Sequence, residues 1–310
     1  VNPGPDPLPD GRRPAPAAGP VRKALFVRNV IKLTGAVVAA AALTLGLGAC
    51  SAPSDPDTTD KNDANAPLTV GATSVPQAQI LDFVKKNLAS KEGLKLNVRT
   101  FEDYTLIDPA TDNGELDANY FQHKYYLDEY NKKEGGHLIP VVNVHLEPMG
   151  LYSKKHTKLS ELGSGSVVGV PNDPSNQGRA LKLLASKDLI TLKDNKAENP
   201  GLNDIKDTKG LKFQEAKAET LPSSLPDYDA AAINGNYAIP AKLKPSKDAL
   251  AIEPVQGNPY ANFLAVKKGN EDDPRVKKLV KLLNTDAVKK FIEKTYTDGS
   301  ALPSFGKPKD

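Results

Sequence analysis

From residue 67 onward the apolar positions alternate between two periods. LTVGATS reads as a buried strand, and Ile80, Leu81, Val84 and Leu88 then recur at the spacing that puts them on one face of a helix. Leu94, Leu96 and Val98 in LKLNVRTF return to the two-residue period of a strand. Strand, helix and strand in this order predict a parallel unit, since parallel neighbours need a long crossover. SVVGVP likewise leads into a helix carrying Ala180, Leu181, Leu184 and Ala185, and YDAAAIN and YANFLAVKK predict further strands. Asp273-Pro274 marks the start of a closing helix with Val276, Leu279, Val280 and Leu283 on its apolar face. This alternation predicts an α/β protein.

Two extended segments are too long for single buried strands: VVNVHLEPMGLYS at 141 to 153 and ALAIEPVQGNPYANFLAV at 249 to 266. Each is interrupted at a proline. Read as crossovers between lobes, they assign residues 67 to 147 and 257 to 310 to lobe I, and 148 to 256 to lobe II. The cleft between the lobes is then the expected ligand site.

The first fifty residues follow a different pattern. Arg22, Lys23, Arg28 and Lys32 precede the uncharged run LTGAVVAAAALTLGLGA, which ends at Cys50. This is the grammar of a secretory signal peptide over residues 1 to 49, and the run is shorter than the ~20 residues of a spanning helix. Arg12 and Arg13 are followed by PAP rather than an apolar run, which points to the general export route. Leu47-Gly48-Ala49-Cys50 resembles a bacterial lipoprotein box, in which the cysteine thiol is diacylated; two chains give stable anchoring. Residues 51 to 66, rich in Pro, Asp, Ser and Thr, then read as a flexible tether reaching on the order of 20 to 25 Å. The expected location is the extracytoplasmic face of the cell membrane, held by lipid on Cys50.

Composition supports a folded body, with 39% apolar residues across the chain. The chain holds 41 basic and 38 acidic residues, of which the leader takes six and two, so the remainder is near neutral at 35 against 36. The basic balance therefore belongs to the leader and gives no support to nucleic-acid binding. The lone cysteine excludes a disulfide framework and any CxxC site. His123, His137, His145 and His156 form no i, i+4 pair, so no metal site is expected. GSGSVVG at 163 to 169 precedes its strand, whereas a dinucleotide fingerprint follows one. With no GxSxG element or phosphate-binding loop either, the reading is a binding protein, not an enzyme, and without a cofactor. The lysines of the closing helices read as a solvated face.

One stretch concentrates aromatic chemistry. DANYFQHKYYLDEY, residues 117 to 130, holds five aromatics and a histidine in a chain without tryptophan. Phe121, Tyr125, Tyr126 and Tyr130 include i, i+4 pairs that would stack on one helical face. Packing alone favours leucine and isoleucine over tyrosine, whose hydroxyl needs a partner, so a core and a ligand pocket both remain open. Arg179 is expected in the first turn of a helix opened by Asn172-Asp173-Pro174-Ser175, where a cation opposes the helix dipole. An anion would account for it.

Taken in order, VGATSVPQAQIL, FEDYTLID, DANYFQHKYYLDEY, GLYSKK, VPNDPSNQGRALKLL and AINGNYAIPA resemble the NlpA family of lipoproteins, which includes the MetQ-type methionine-binding proteins of ABC importers. The resemblance covers nearly all of the exported body. It implies a two-lobed, periplasmic-binding-protein-like fold, methionine as the leading ligand, and a membrane permease with its ATPase as partners. The family's pocket aromatics match Tyr104, Phe121 and Tyr126, with His123 beside them either as a ligand contact or as support for the rings. Its carboxylate-binding arginine falls on Arg179, and the polar groups that receive the amino acid's backbone atoms match Asn176, Asn234 and Asn262. Tyr125 stands where the family usually has proline, which implies a differently shaped first turn after Phe121-Gln122-His123. A polarizable thioether suits an aromatic pocket, at ~0.3 to 1.5 kcal/mol per sulfur–ring contact. D- or L-methionine, a methionine-containing dipeptide, another apolar amino acid, or a surface interaction role without a small ligand all stay open at this point.

Overall fold

In the computed structural model, which describes residues 63–308, the chain builds two mixed sheets and passes between them twice. The expected leader, Cys50 and residues 51 to 62 of the expected tether lie outside the described residues. β1 (Leu68–Thr73), α1 (Gln79–Asn87) and β2 (Leu96–Phe101) make the predicted unit, with β1 and β2 parallel. α2 (Ile107–Asp112), β3 (Ala118–Tyr120), α3 (Lys124–Glu134) and β4 (Leu138–Leu146) follow. The second sheet is entered at β5 (Gly150–Tyr152) and continues through β6 (Val167–Pro171) and α4 (Pro174–Ser186). A small ribbon of β7 (Thr191–Leu192) and β8 (Ile205–Asp207) precedes β9 (Lys212–Ala216) and β10 (Ala230–Ile233). Two single turns, α5 (Gly235–Ala238) and α6 (Pro245–Asp248), lead to β11 (Ala249–Ile252). β12 (Asn262–Lys267), α7 (Pro274–Leu283), α8 (Asp286–Thr295) and β13 (Leu302–Gly306) then return to the first sheet.

The strand order is β13-β4-β12-β3-β1-β2 in the first sheet and β11-β5-β10-β6-β9 in the second. β1 lies between parallel neighbours, and apart from partly exposed Thr69 its residues are buried, which is why LTVGAT reads as a nearly continuous apolar run. Both long extended segments change sheets as predicted, between β4 and β5 at Glu147-Pro148 and between β11 and β12 after Glu253-Pro254. A proline withholds its N–H from a ladder, so each marks the point where pairing with the first sheet stops and the second begins, or the reverse.

Of four apolar clusters among the described residues, three bear on the site. Ile80, Leu81 and Val84 of α1 join Val276, Leu279 and Leu283 of α7 against the first sheet. Ala180, Leu181 and Leu184 of α4 pack on the second with Val168, Val170 and Ala230. The third draws from both sides, with Tyr104, Ile107 and Phe121 meeting Tyr152, Leu221 and Tyr237. Here the two lobes touch.

The aromatic stretch does not form one helix. Asn119 and Tyr120 pair with β1 and β12, so the chain is held extended up to Tyr120. Phe121 therefore precedes the helix, and of the predicted i, i+4 pairs only Tyr126 and Tyr130 share α3. His123 caps α3, its Nδ1 accepting from the Tyr126 N–H at 3.3 Å. Tyr125 sits in a regular first turn, partly exposed, with its ring 5.3 Å from that of Tyr260.

Candidate ligand-binding site

A cavity lies where the third cluster opens toward the crossovers. All eight side chains expected at the site, Tyr104, Phe121, His123, Tyr126, Asn176, Arg179, Asn234 and Asn262, line it. It is also lined by Gln122, Glu147, Gly235 and Asn236, which the sequence reading did not single out.

One wall is aromatic. The rings of Tyr104, Phe121 and Tyr126 form a triangle with centroids 5.6, 5.7 and 5.6 Å apart, in tilted and edge-on arrangements suited to their quadrupoles. Tyr104 begins a short turn capped by Asp103, whose carboxylate accepts from the Thr105 N–H at 2.9 Å. Its own hydroxyl donates to Asn236 Oδ1, and its ring lies 4.9 Å from that of Tyr237. Tyr237 in turn donates to the Glu102 carbonyl at 2.6 Å. These two hydroxyls link residues that flank different sheets.

The polar side is held by a relay that begins at a helix cap. Asp173 caps α4, accepting from the Asn176 N–H and from Asn176 Nδ2, each at 2.9 Å. That fixes the orientation of the Asn176 amide and turns its Oδ1 toward His123 Nε2 at 3.1 Å and Asn234 Nδ2 at 2.8 Å. Asn234, at the end of β10, is thereby oriented with its Oδ1 buried and, among the described residues, without a hydrogen-bond partner. Gln122 Oε1 is buried and unpartnered as well. Buried acceptors are nearly always satisfied, so two in one cavity mark where an N–H donor belongs.

His123 acts within this relay. Its Nδ1 accepts from the backbone and its Nε2 faces Asn176 Oδ1, so the tautomer carries its proton on Nε2 and donates it there. Burial, and secondarily the neighbouring Arg179 cation, bring its pKa down to about 3, which keeps the ring neutral. With both nitrogens engaged inside the protein, it offers the cavity ring surface and holds Asn176 in place.

Arg179 lies in the second turn of α4 rather than the first, and it is only 3% exposed. The anion that accounts for it belongs in part to the protein. Nε and Nη2 grip Glu253 at 2.8 and 2.7 Å, and Nη2 also donates to the Glu147 carbonyl at 2.7 Å. The guanidinium also sits 4.3 Å from the centre of the Tyr260 ring. Burial alone would weaken its hold on the proton, but Glu253 reverses this and leaves the pKa above its usual value. Nη1 makes no hydrogen bond among the described residues and remains available to the cavity. Arg179 thus touches both crossovers, at Glu147 and at Glu253.

Glu147 is positioned by a buried chain. Tyr120 hydroxyl meets His145 Nδ1, His145 Nε2 meets Glu147 Oε1 at 2.7 Å, and Gln77 Nε2 donates to the same oxygen at 2.7 Å. Gln77 also donates to Asn262 Oδ1 at 2.9 Å. Gly235 closes against this carboxylate so tightly that an added Cβ would lie 2.7 Å from Glu147 Oε2 and Cβ. The signal that could have found both acids is that each crossover carries the same dipeptide, Glu-Pro.

In sum of charge and shape, the cavity offers one guanidinium nitrogen, acceptors for an ammonium, and an apolar aromatic wall. The family model described as NlpA lipoprotein matches residues 68–305. The methionine-binding lipoprotein MetQ of Bacillus subtilis is 41% identical over 242 residues, covering 76% of this chain and 87% of the relative. A nutrient binding protein from Burkholderia cenocepacia, solved bound to methionine, is 42% identical and superposes with a TM-score of 0.74 over 77% of this chain and all of that one (100%). A periplasmic substrate-binding protein of an ABC transporter from Coxiella burnetii is likewise 42% identical, with a TM-score of 0.72 over 76% of this chain and 100% of its own.

Proposed function

Because the chain belongs to the NlpA lipoprotein family, we propose that it captures methionine in the cavity between its lobes and delivers it to the permease and ATPase of an ABC importer. It is a substrate-binding protein and not an enzyme. The observation that carries the ligand reading is the pairing, in one small cavity, of a free Arg179 Nη1 with two unpartnered acceptors, Asn234 Oδ1 and Gln122 Oε1, opposite three aromatic rings. In this reading the ligand carboxylate takes Nη1, and the ammonium donates to Asn234, Gln122 and the Glu147 carboxylate. The thioether lies against Tyr104, Phe121 and Tyr126, where a charged side chain would lose its hydration without gaining a partner.

Asn176 and His123 hold Asn234 rather than the ligand, and Asn262 holds Gln77 and through it Glu147. Anchoring by lipid on Cys50 at the extracytoplasmic face completes the proposal and accords with the lipoprotein relatives. The test is a melting screen of the purified protein against the twenty amino acids. Methionine at one hundred times its dissociation constant should add ~2.7 kcal/mol of stability, and lysine and aspartate none. A shift with a charged amino acid and none with methionine would sink the reading.

A further inference from the structure

Between α2 and α3, against the start of α4, lies a second cavity that shares Tyr104 and Tyr126 with the first. Five carboxylates line it, those of Asp108, Asp112, Glu129, Glu134 and Asp173, against one cation, Lys133. Lys133 is paired with Glu129 at 2.5 Å, and Lys267 approaches Asp112 at 3.5 Å. Asp108, Glu134 and Asp173 form no ion pair among the described residues.

Asp108 supplies the second observation. It is 1% exposed, and its Oδ1 accepts from Gln122 Nε2 at 2.6 Å and Asn119 Nδ2 at 3.0 Å, while Oδ2 has no partner among the described residues. Neither protonation state relieves this: a carboxylate there lacks a donor, and an acid O–H lacks an acceptor. Burial pushes its pKa up to about 7, so both states are present near neutrality.

The missing partner is a donor with positive charge. A metal ion does not fit, because among the described residues no three acidic or histidine groups converge closely enough to hold one. Carboxylates set apart on three helices, with the rings of Tyr104, Tyr126 and Tyr130 between them, suit several ammonium groups joined by an alkyl chain. We propose that this cavity binds an aliphatic polyamine, with one ammonium donating to Asp108 Oδ2 and another lying by Glu134 at the rim. The site adjoins the first cavity through Tyr104, Tyr126 and the Gln122–Asp108 bond, but it does not require methionine to be the ligand there.

Spermidine serves as the probe, titrated calorimetrically into the purified full-length chain at 0.15 M salt, with and without saturating methionine. That salt screens diffuse surface attraction. Binding should saturate at one site in both conditions. Asp108→Asn, which keeps the acceptor for Gln122 and Asn119, should weaken it at least tenfold. Glu134→Lys, at an exposed position that spares the fold, should weaken it at least threefold and decides the matter if Asp108→Asn unfolds. Heat that never saturates, or saturable binding that neither substitution alters, overturns the site; methionine heats from the same samples report separately on the first cavity.

Discussion

Replacing Arg179 tests two roles at once, and the structure allows them to be separated. In Arg179→Met the stem is kept, but Glu253, 6% exposed, loses both bonds of its guanidinium partner. Breaking a buried pair costs about 3 to 5 kcal/mol. Glu253 retains the Met149 N–H at 2.8 Å and Asn258 Nδ2 at 3.2 Å, so the lower end, about 3 kcal/mol, is expected. Arg179→Met/Glu253→Gln removes the stranded charge and should recover stability to within about 1 kcal/mol of the native protein. What the double variant cannot recover is the bond from Nη1 to the ligand carboxylate. A charge-assisted hydrogen bond contributes about 1.5 to 3 kcal/mol, so methionine binding should fall roughly 10- to 150-fold. Methioninamide, lacking the carboxylate, should bind both proteins with similar weakness. Urea denaturation measures the first effect, and calorimetry with both ligands on native, Glu253→Gln and double-variant protein measures the second. A double variant that regains stability and binds methionine within twofold of the native protein would show that Arg179 only braces the crossovers.

Asp108 gives a pH prediction. Its folded pKa of about 7 lies above the ordinary 3.8, so the folded state holds a proton that the unfolded chain has released; its contribution is fully present below about pH 4 and is lost as pH rises to about 7. Asp108→Asn should therefore gain stability over native protein across that window, by on the order of 4 kcal/mol at pH 8 and nothing at pH 3.5; a difference independent of pH in denaturant titrations would contradict the assignment. Gly235→Ala should displace the Glu147 carboxylate and weaken methionine binding at least fivefold while far-ultraviolet dichroism stays native, and unchanged affinity would remove Glu147 from the site. Cys50→Ala should abolish lipid attachment; a variant that still matures with a lipid-sized mass and partitions into detergent would refute the anchor.

The periodicities of LTVGATS and of the helix at Ile80 to Leu88 depend on local burial, and a reader of the sequence finds β1 and α1 within a residue or two. Proline-marked interruptions are similarly local, which made both crossovers legible. Phe121 and Tyr120 were harder, because β3 is extended only through its partners β1 and β12, far away in sequence. Matching to a family located the eight lining side chains but not their division of labour. That His123 serves Asn176, that Asn262 serves Gln77, and that Arg179 is already gripped by Glu253 follow from contacts spanning 53, 185 and 74 positions. No spacing rule encodes them. Tyr125 shows the opposite case: the change from the family's proline left α3 regular, since either residue is compatible with a first helical turn.

Arg179 reaching both crossovers has a consequence for how such a protein can diversify. In the proposed function, the end of the cavity that would read what every amino acid shares is made from the joints between the lobes, so changes there would alter mechanics and recognition together. The aromatic end carries a share of that burden, since Tyr104 bonds Asn236 of the other lobe and packs with Phe121 in the cluster where the lobes touch. Tyr104, Phe121 and Tyr126 stand away from the Glu-Pro joints, on a turn, a strand end and a helix start of the first lobe's side. A lineage, or a designer building a sensor for a different amino acid, that reworks those three rings to change which side chain is admitted must therefore keep a bond equivalent to Tyr104–Asn236 between the lobes.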